Sequence, residues 1–275
     1  MSETPVILFG LGFTSLRLAR RLLGGDRRIF AATRKPERFA ELAAQGLTVA
    51  DFHADLFPRG AVIAHTIPPV DEAAQEALHE FLVELAPRRI VYVSATSVYG
   101  ELATVTGDSP VIPSGEASLR RYAEEQWVAG GPWAALILRA AAIYGPGRGA
   151  HRRLAVPQTP ALNQRRGPSG LVSRIHVEDL AGLMERGLDS ELCGAFPVAD
   201  TLPCSTEAIL QWCVEYLGLD PNQVDISGTV STGRWVDGTD IVDRLGLQLE
   251  YPDYRAGIAQ CIREEGWGSA APLRS

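Results

Sequence analysis

The residues with the plainest chemical use lie near the start of the chain, in Gly10-Leu11-Gly12-Phe13-Thr14-Ser15. An apolar run, Val6 to Phe9, leads into them, and Thr14 to Leu23 follows with Leu16, Ala19, Leu22 and Leu23 on one helical face. In a strand–turn–helix of this kind Gly10 permits the tight turn, and Gly12 lets the backbone approach a pyrophosphate. The helix start, with Phe13 and Thr14, then offers free N–H groups and a positive dipole end to the anion. Ser15 stands where this fingerprint has its third glycine, whose task is close helix–strand packing, and serine is small enough to serve. The expected ligand is a dinucleotide; a plain structural turn is the alternative.

The residues closing the second strand choose between dinucleotides. NAD sites place Asp or Glu about 20 residues beyond the turn to bond the ribose hydroxyls. Here Ile29 to Ala32 runs into Thr33-Arg34-Lys35, with no carboxylate before Glu37. Arginine grips a 2′-phosphate bidentately where a carboxylate would repel it. The pattern therefore predicts NADP in preference to NAD, with Thr33, Arg34 and Lys35 as contacts. Asp55 and Leu56, after the third strand region, fit either an adenine contact or a turn. Thr66 and Pro68 are further candidate cofactor contacts.

The 275 residues carry 26 basic and 33 acidic side chains, a formal net charge of −7. That balance argues against a general nucleic-acid binder. A composition 46% hydrophobic and 21% charged excludes a largely disordered chain. No apolar run approaches the ~18 residues of a bilayer span, and Val6 to Phe13 is too short, with no basic residue before it, for a signal peptide. Cys193, Cys204, Cys213 and Cys261 show no paired close spacing, and the five histidines form no metal cluster. No metal is expected, and a reducing cytoplasmic compartment is.

The charge is uneven. Residues 126–177 contain no Asp or Glu but seven arginines: Arg139, Arg148, Arg152, Arg153, Arg165, Arg166 and Arg174. Such a block fits an anionic small-molecule substrate, with Arg139 and Arg174 as candidate contacts, or else ion pairs with the acidic C-terminal stretch.

The elements that must position these residues alternate along the first 140 positions. Strand-like runs at Val6–Phe9, Ile29–Ala32, Ala61–Ala64, Ile90–Val93 and Ala134–Leu138 are separated by helical patterns at Thr14–Leu23, Pro36–Ala44, Asp71–Leu85 and Ser118–Val128. Buried strands between helices predict an α/β fold, a doubly wound parallel sheet with its ligand beyond the carboxyl ends of the strands. Gly145 to Gly170 has no period. His176–Leu188 reads as a helix, Ala195–Val198 as a strand and Ser205–Leu217 as a helix. The expected division is a dinucleotide-binding Rossmann domain over 1–146 and 174–199, with a smaller discontinuous substrate lobe over 147–173 and 200–275.

These residues together resemble the extended short-chain dehydrogenase/reductase superfamily, of NAD-dependent epimerase/dehydratase type. The resemblance rests on the glycine turn and on Val91-Tyr92-Val93-Ser94-Ala95-Thr96-Ser97-Val98-Tyr99-Gly100. It continues in Leu138-Arg139 through Ile143-Tyr144-Gly145-Pro146-Gly147, in Arg174-Ile175-His176-Val177-Glu178-Asp179-Leu180-Ala181, and in Leu245-Gly246 followed by Tyr251-Pro252. It implies NADP or NAD as cofactor, a small-molecule substrate and a homodimer. In that family a Ser/Thr after the fifth strand and a Tyr-x-x-x-Lys helix carry the chemistry, the lysine cation favouring the phenolate.

Here the chain departs from the pattern. Aligning on Glu125-Gln126 puts Ala117 and Arg121 at the Tyr and Lys positions, and the neighbouring register puts Glu116 and Arg120 there. The sole lysine is Lys35. Candidate catalytic groups are Ser94, Thr96 and Glu116. Ser94 and Arg121 are also candidate cofactor contacts, and Arg139, Tyr144, Arg174 and His176 are candidate substrate contacts. His176 alternatively anchors the following helix. Two functions fit: an oxidoreductase or epimerase-type enzyme with an atypical acid/base, or a non-catalytic NADP(H)-binding sensor.

Overall fold

The computed structural model describes residues 4–154, 170–223 and 233–267. Among them, seven short strands form one parallel sheet: β1 (Val6–Phe9), β2 (Ile29–Ala32), β3 (Thr48–Ala50), β4 (Val62–His65), β5 (Arg89–Ala95), β7 (Ala134–Ala140) and β10 (Gly194–Val198). The order across the sheet is β10-β7-β5-β4-β1-β2-β3. The chain winds outward from β1 through β2 to β3, then crosses back to β4 on the other side of β1. The crevice at their carboxyl ends is thus a topological switch point. Every residue of β1 and β4 is buried, which is why both read as continuous apolar runs without alternation.

Helices cover both faces. On one lie α1 (Phe13–Leu22) and α5 (Val177–Leu188), whose Leu18, Ala19, Leu180 and Leu183 pack with Val6, Leu8 and Val91. On the other lie α3 (Glu72–Leu85) and α4 (Glu116–Gly130), whose Phe81, Leu82, Leu85 and Val128 pack with Ile7, Phe9, Ile90 and Tyr92. Arg17 of α1 pairs with Glu178 of α5 and with Glu264, across the helix faces. The expected helix over Pro36–Ala44 divides into a 3-10 turn at Pro36–Phe39 and a short α2 (Ala40–Ala44). Asp71, His176 and Ser205 cap the helices they were expected to open, each accepting a backbone N–H.

Beyond the sheet, α6 (Thr206–Leu217) and α8 (Tyr254–Glu264) share an apolar cluster of their own with Tyr144. A short α7 (Thr239–Arg244) packs against β10. Two small parallel pairs complete the fold: β6 (Thr104–Val105) with β11 (Trp235–Val236), and β8 (Ala142–Tyr144) with β9 (Arg174–His176). Strands of two or three residues carry no readable period, and the sequence did not announce them. All four cysteines are free thiols. No described helix is long and apolar enough to cross a membrane.

Candidate functional site

The glycine turn sits at the switch point. Gly10 has φ +89°, and a Cβ there would stand 2.6 Å from Ile67 Cγ1, in the segment that leaves β4. Only glycine meets both demands. At Gly12 a Cβ would meet nothing within 4 Å, so open space lies before the turn. Ser15 is fully buried, and its hydroxyl accepts the Gly12 N–H at 2.9 Å and meets Thr66 Oγ1 at 3.0 Å. The serine therefore fills the third-glycine position and also staples helix, turn and β4 together. The first intrahelical bond is Leu16 N–H to Gly12 O, which leaves the Phe13 and Thr14 N–H groups at the helix start for a ligand. α1 has no acidic residue in its first turn to compete for them.

The other candidate cofactor residues line the same edge. Thr33 is held by its N–H to Ala50 O at 3.0 Å, and Arg34 and Lys35 extend into solvent with no carboxylate partner among the described residues. Asp55 and Leu56 lie in an exposed 3-10 turn, Leu56 at 50% exposure. Thr66 Oγ1 reaches Gly10 O at 3.3 Å, and Pro68 is exposed just beyond.

Behind this edge lies a polar cluster that pattern reading missed. Glu124, buried on α4, accepts from His65 of β4 at 3.2 Å, His79 of α3 at 2.7 Å and Gln75 at 2.8 Å. His65 Nδ1 accepts the Ile67 N–H at 3.2 Å, so its proton sits on Nε2, toward Glu124. Burial lowers the His65 pKa although Glu124 opposes the shift. The Glu124 pKa lies below its usual value, because the two imidazoles outweigh its own burial. His79 stacks on Trp127 with ring centres 3.5 Å apart. The cluster fixes the β4 exit, hence Thr66 and Ile67, against the glycine turn.

Several candidates for chemistry are engaged elsewhere. Ser94, a candidate catalyst and cofactor contact, is buried and donates to Glu125 Oε1 at 2.5 Å. Glu125 is fully buried, and Arg139 grips both its oxygens while also donating to Tyr99 Oη at 3.1 Å. Arg139 thus staples α4 to β7 and the loop after β5. Burial works against its charge, but the bonds to Glu125 and Tyr99 raise its pKa. Arg174 is likewise turned inward, donating to the Val172 and Cys204 carbonyls at 2.8 Å each. Tyr144 is 3% exposed and donates to Asp253 O at 3.3 Å. A Cβ on Gly257 would strike its hydroxyl at 2.1 Å, so the ring packs closely against α8. Glu116 opens α4 with its side chain 79% exposed, paired with Arg120, which removes it as a buried acid. Thr96 stays half-buried after β5 with no side-chain bond among the described residues.

His176 caps α5: its Nδ1 accepts the Glu178 N–H at 3.3 Å while its ring lies between Tyr144 and Tyr251. Burial, assisted by the Arg17 charge, lowers its pKa to about 4 from the usual 6.5. The ring thus anchors α5. Between pH 4 and 6.5 the native state then binds fewer protons here than the unfolded chain, so stability falls as pH drops through that window. His176→Asn keeps a capping acceptor without a titrating ring. Urea denaturation across pH should show a weaker acid dependence than wild type, and an unchanged slope would count against this assignment.

On α4 the two registers differ in exposure. Arg121 is half-buried and faces the Tyr92 phenol, whereas Arg120 is turned to solvent. Burial pushes the Tyr92 phenol above its usual range, and the Arg121 cation offsets only part of that. Ala117, one turn earlier, is exposed. Ser118 donates to Ser97 O at 2.7 Å and ties α4 to the loop after β5. α4 contains no lysine, and its one tyrosine, Tyr122, packs beside the Val98–Tyr99 cluster.

Of the five described arginines in the acid-free block, Arg139, Arg152 and Arg174 have internal partners, Arg152 through Glu265 at 2.5 Å. Arg148 and Arg153 remain exposed without a carboxylate partner among the described residues. Arg165 and Arg166 lie outside the described residues. No group of His, Cys, Asp and Glu among the described residues has metal-binding geometry.

A doubly wound parallel sheet with its glycine turn at the switch point is a Rossmann-like α/β architecture. Solved structures share that fold: WbmG of Bordetella bronchiseptica, in complex with NAD and UDP, aligns with a TM-score of 0.75 at 17% identity over 97% of this chain and 96% of its own. A UDP-glucuronic acid 4-epimerase from Bacillus cereus, in complex with NAD, aligns at 0.73 and 15% over 95% and 100%. These likenesses show the fold. No protein-family model matches it. In sequence it is similar to protein YeeZ of Escherichia coli K12, 30% identical over 185 residues, 66% of this chain and 65% of YeeZ, just under two thirds of that relative. It is also similar to a 3-diazoavenalumate denitrifying reductase of Streptomyces, 32% identical over 182 residues, 59% of each chain.

Proposed function

We propose that the chain is an NADPH-preferring reductase that delivers hydride to a small, electron-poor acceptor without a proton from an enzyme phenol. The observation that carries the reading is the open glycine turn joined to the end of β2, where exposed Arg34 and Lys35 follow with no carboxylate before Glu37. The Phe13 and Thr14 N–H groups would hold the pyrophosphate, Thr33, Arg34 and Lys35 the 2′-phosphate, and Arg121 the nicotinamide ribose. The cofactor, when bound, supplies the hydride.

The second half of the reading follows from α4. Reduction of a simple ketone leaves an alkoxide that must be protonated, the task of a phenol. With Ala117 and Arg121 at those positions, an alkoxide finds no acid, because a guanidinium keeps its protons. Ser94 is committed to Glu125. An acceptor that is already cationic or strongly polarised needs alignment alone. Similarity to a protein named as a reductase of a diazo compound supports this choice over epimerisation. A sensor that binds NADP(H) without turnover is the second reading, favoured by the exposed Ala117.

NADPH oxidation, followed by absorbance, tests both. Iminium, diazo-type and conjugated acceptors should be reduced while simple aldehydes, ketones and nucleotide sugars are not. Reduction of simple ketones would overturn the proton-independent mechanism, and binding without oxidation by any acceptor would favour the sensor. Arg34→Ala should weaken NADPH by about tenfold or more and leave NADH unchanged, the loss of about 2 kcal/mol of charge-assisted hydrogen bonding. Equal losses for the two dinucleotides in paired titrations would remove Arg34 from the 2′-phosphate.

A further inference from the structure

We propose that Arg148 is a second contact for the cofactor's pyrophosphate, brought to the glycine turn from the loop after β8. The proposal rests on the dinucleotide reading above and extends it to a residue outside the fingerprint. The Arg148 guanidinium lies over the Phe13 ring, 5.3 Å from its centre. Phe13 is the first residue of α1, and its own N–H stands at the helix start where the anion would sit. A guanidinium over an aromatic face is held in place by that contact, while its N–H groups remain free to meet phosphate oxygens.

The backbone around Arg148 is fixed on both sides. Gly145 and Arg148 exchange two hydrogen bonds, at 2.8 and 2.9 Å, closing a tight loop. A Cβ at Gly145 would stand 3.2 Å from the Phe13 ring, so this loop rests directly on the start of α1. Gly147 N–H donates to Glu265 Oε1 at 2.9 Å, and His151 and Arg152 bind the same carboxylate at 2.8 and 2.5 Å. Glu265 thus consumes the neighbouring cation and leaves Arg148 alone. The chain anchors the loop, places its guanidinium over the first residue of the helix, and provides no carboxylate among the described residues to neutralise it. A phosphate diester in the open space before Gly12 is the ligand that completes the arrangement.

The test uses the full chain as wild type, Arg148→Met and Arg148→Lys. Each is titrated with NADPH, with NADH, and with 2′-AMP, which carries the 2′-phosphate and lacks the pyrophosphate. Arg148→Met should weaken both dinucleotides about tenfold, leave 2′-AMP unchanged, and reduce the salt dependence of NADPH binding. Arg148→Lys should recover part of the loss. Unchanged dinucleotide affinity in Arg148→Met overturns the proposal. If KM for an acceptor rises at the same time, the arginine serves the acceptor instead. A wild type that binds neither dinucleotide overturns the underlying cofactor reading, an outcome distinct from a silent Arg148.

Discussion

Glu125→Ala should lower the stability of the protein by about 3–5 kcal/mol, the largest loss expected from any single polar substitution. The carboxylate is fully buried under α4, and its removal leaves the Arg139 guanidinium inside the protein with one partner, the Tyr99 hydroxyl. The Ser94 hydroxyl loses its acceptor at the same time. An uncompensated buried charge costs far more than an intact pair contributes, so the direction of the effect is set by what is left behind. Glu125→Gln, which keeps one acceptor, should lose less. Replacing the pair together, Glu125→Leu with Arg139→Met, should recover much of the stability, because neither charge then remains unpaired. Urea denaturation of the four proteins measures this. Equal losses for the single and double variants would show that the pair is not the coupled unit the geometry describes.

Gly12→Ala should weaken cofactor binding by about a hundredfold while leaving the fold in place. The Gly12 backbone has φ −108°, which any residue adopts, and an added Cβ meets no protein atom within 4 Å. Stability should therefore change by less than about 1 kcal/mol, the scale of exchanging glycine for alanine at a helix cap. The methyl group would nevertheless occupy the space the pyrophosphate requires, and NADPH affinity should drop by about a hundredfold. Gly10→Ala is the contrasting variant. Its φ of +89° and the 2.6 Å approach to Ile67 make it a folding defect first. Thermal melts beside dinucleotide titrations separate the two. A Gly12→Ala protein that binds NADPH normally would show that the turn is structural only.

The sheet and its main helices were legible because each is a buried run or a clear helical face. The switch point was legible too, since Gly10 and Gly12 sit between the first strand and the first helix. What the sequence could not reveal was where charges are buried. Arg139 and Arg174 looked free because residues 126–177 lack acids, yet the partner of Arg139 comes from the preceding helix, and Arg174 is satisfied by carbonyls. Glu125 served as a register mark when it was in fact the counter-charge of Arg139. The His65–Glu124–His79 cluster spans two helices and a strand separated by long stretches of chain, so no local pattern contains it. Arg148 was visible only as one of seven cations; its loop and the Phe13 ring single it out.

The single-lysine composition takes on structural meaning at α4. Arg121 is half-buried on that helix beside Tyr92, and Ala117, one turn earlier, is exposed. On the proposed reading the chain binds a dinucleotide without a Tyr/Lys couple, which makes binding the decisive property. Titration of the wild-type protein with NADPH and with NADH, followed by nicotinamide fluorescence, tests it most directly. Saturable binding to both, tighter for NADPH, is the expected result. No saturable response to either dinucleotide would contradict the account at its centre.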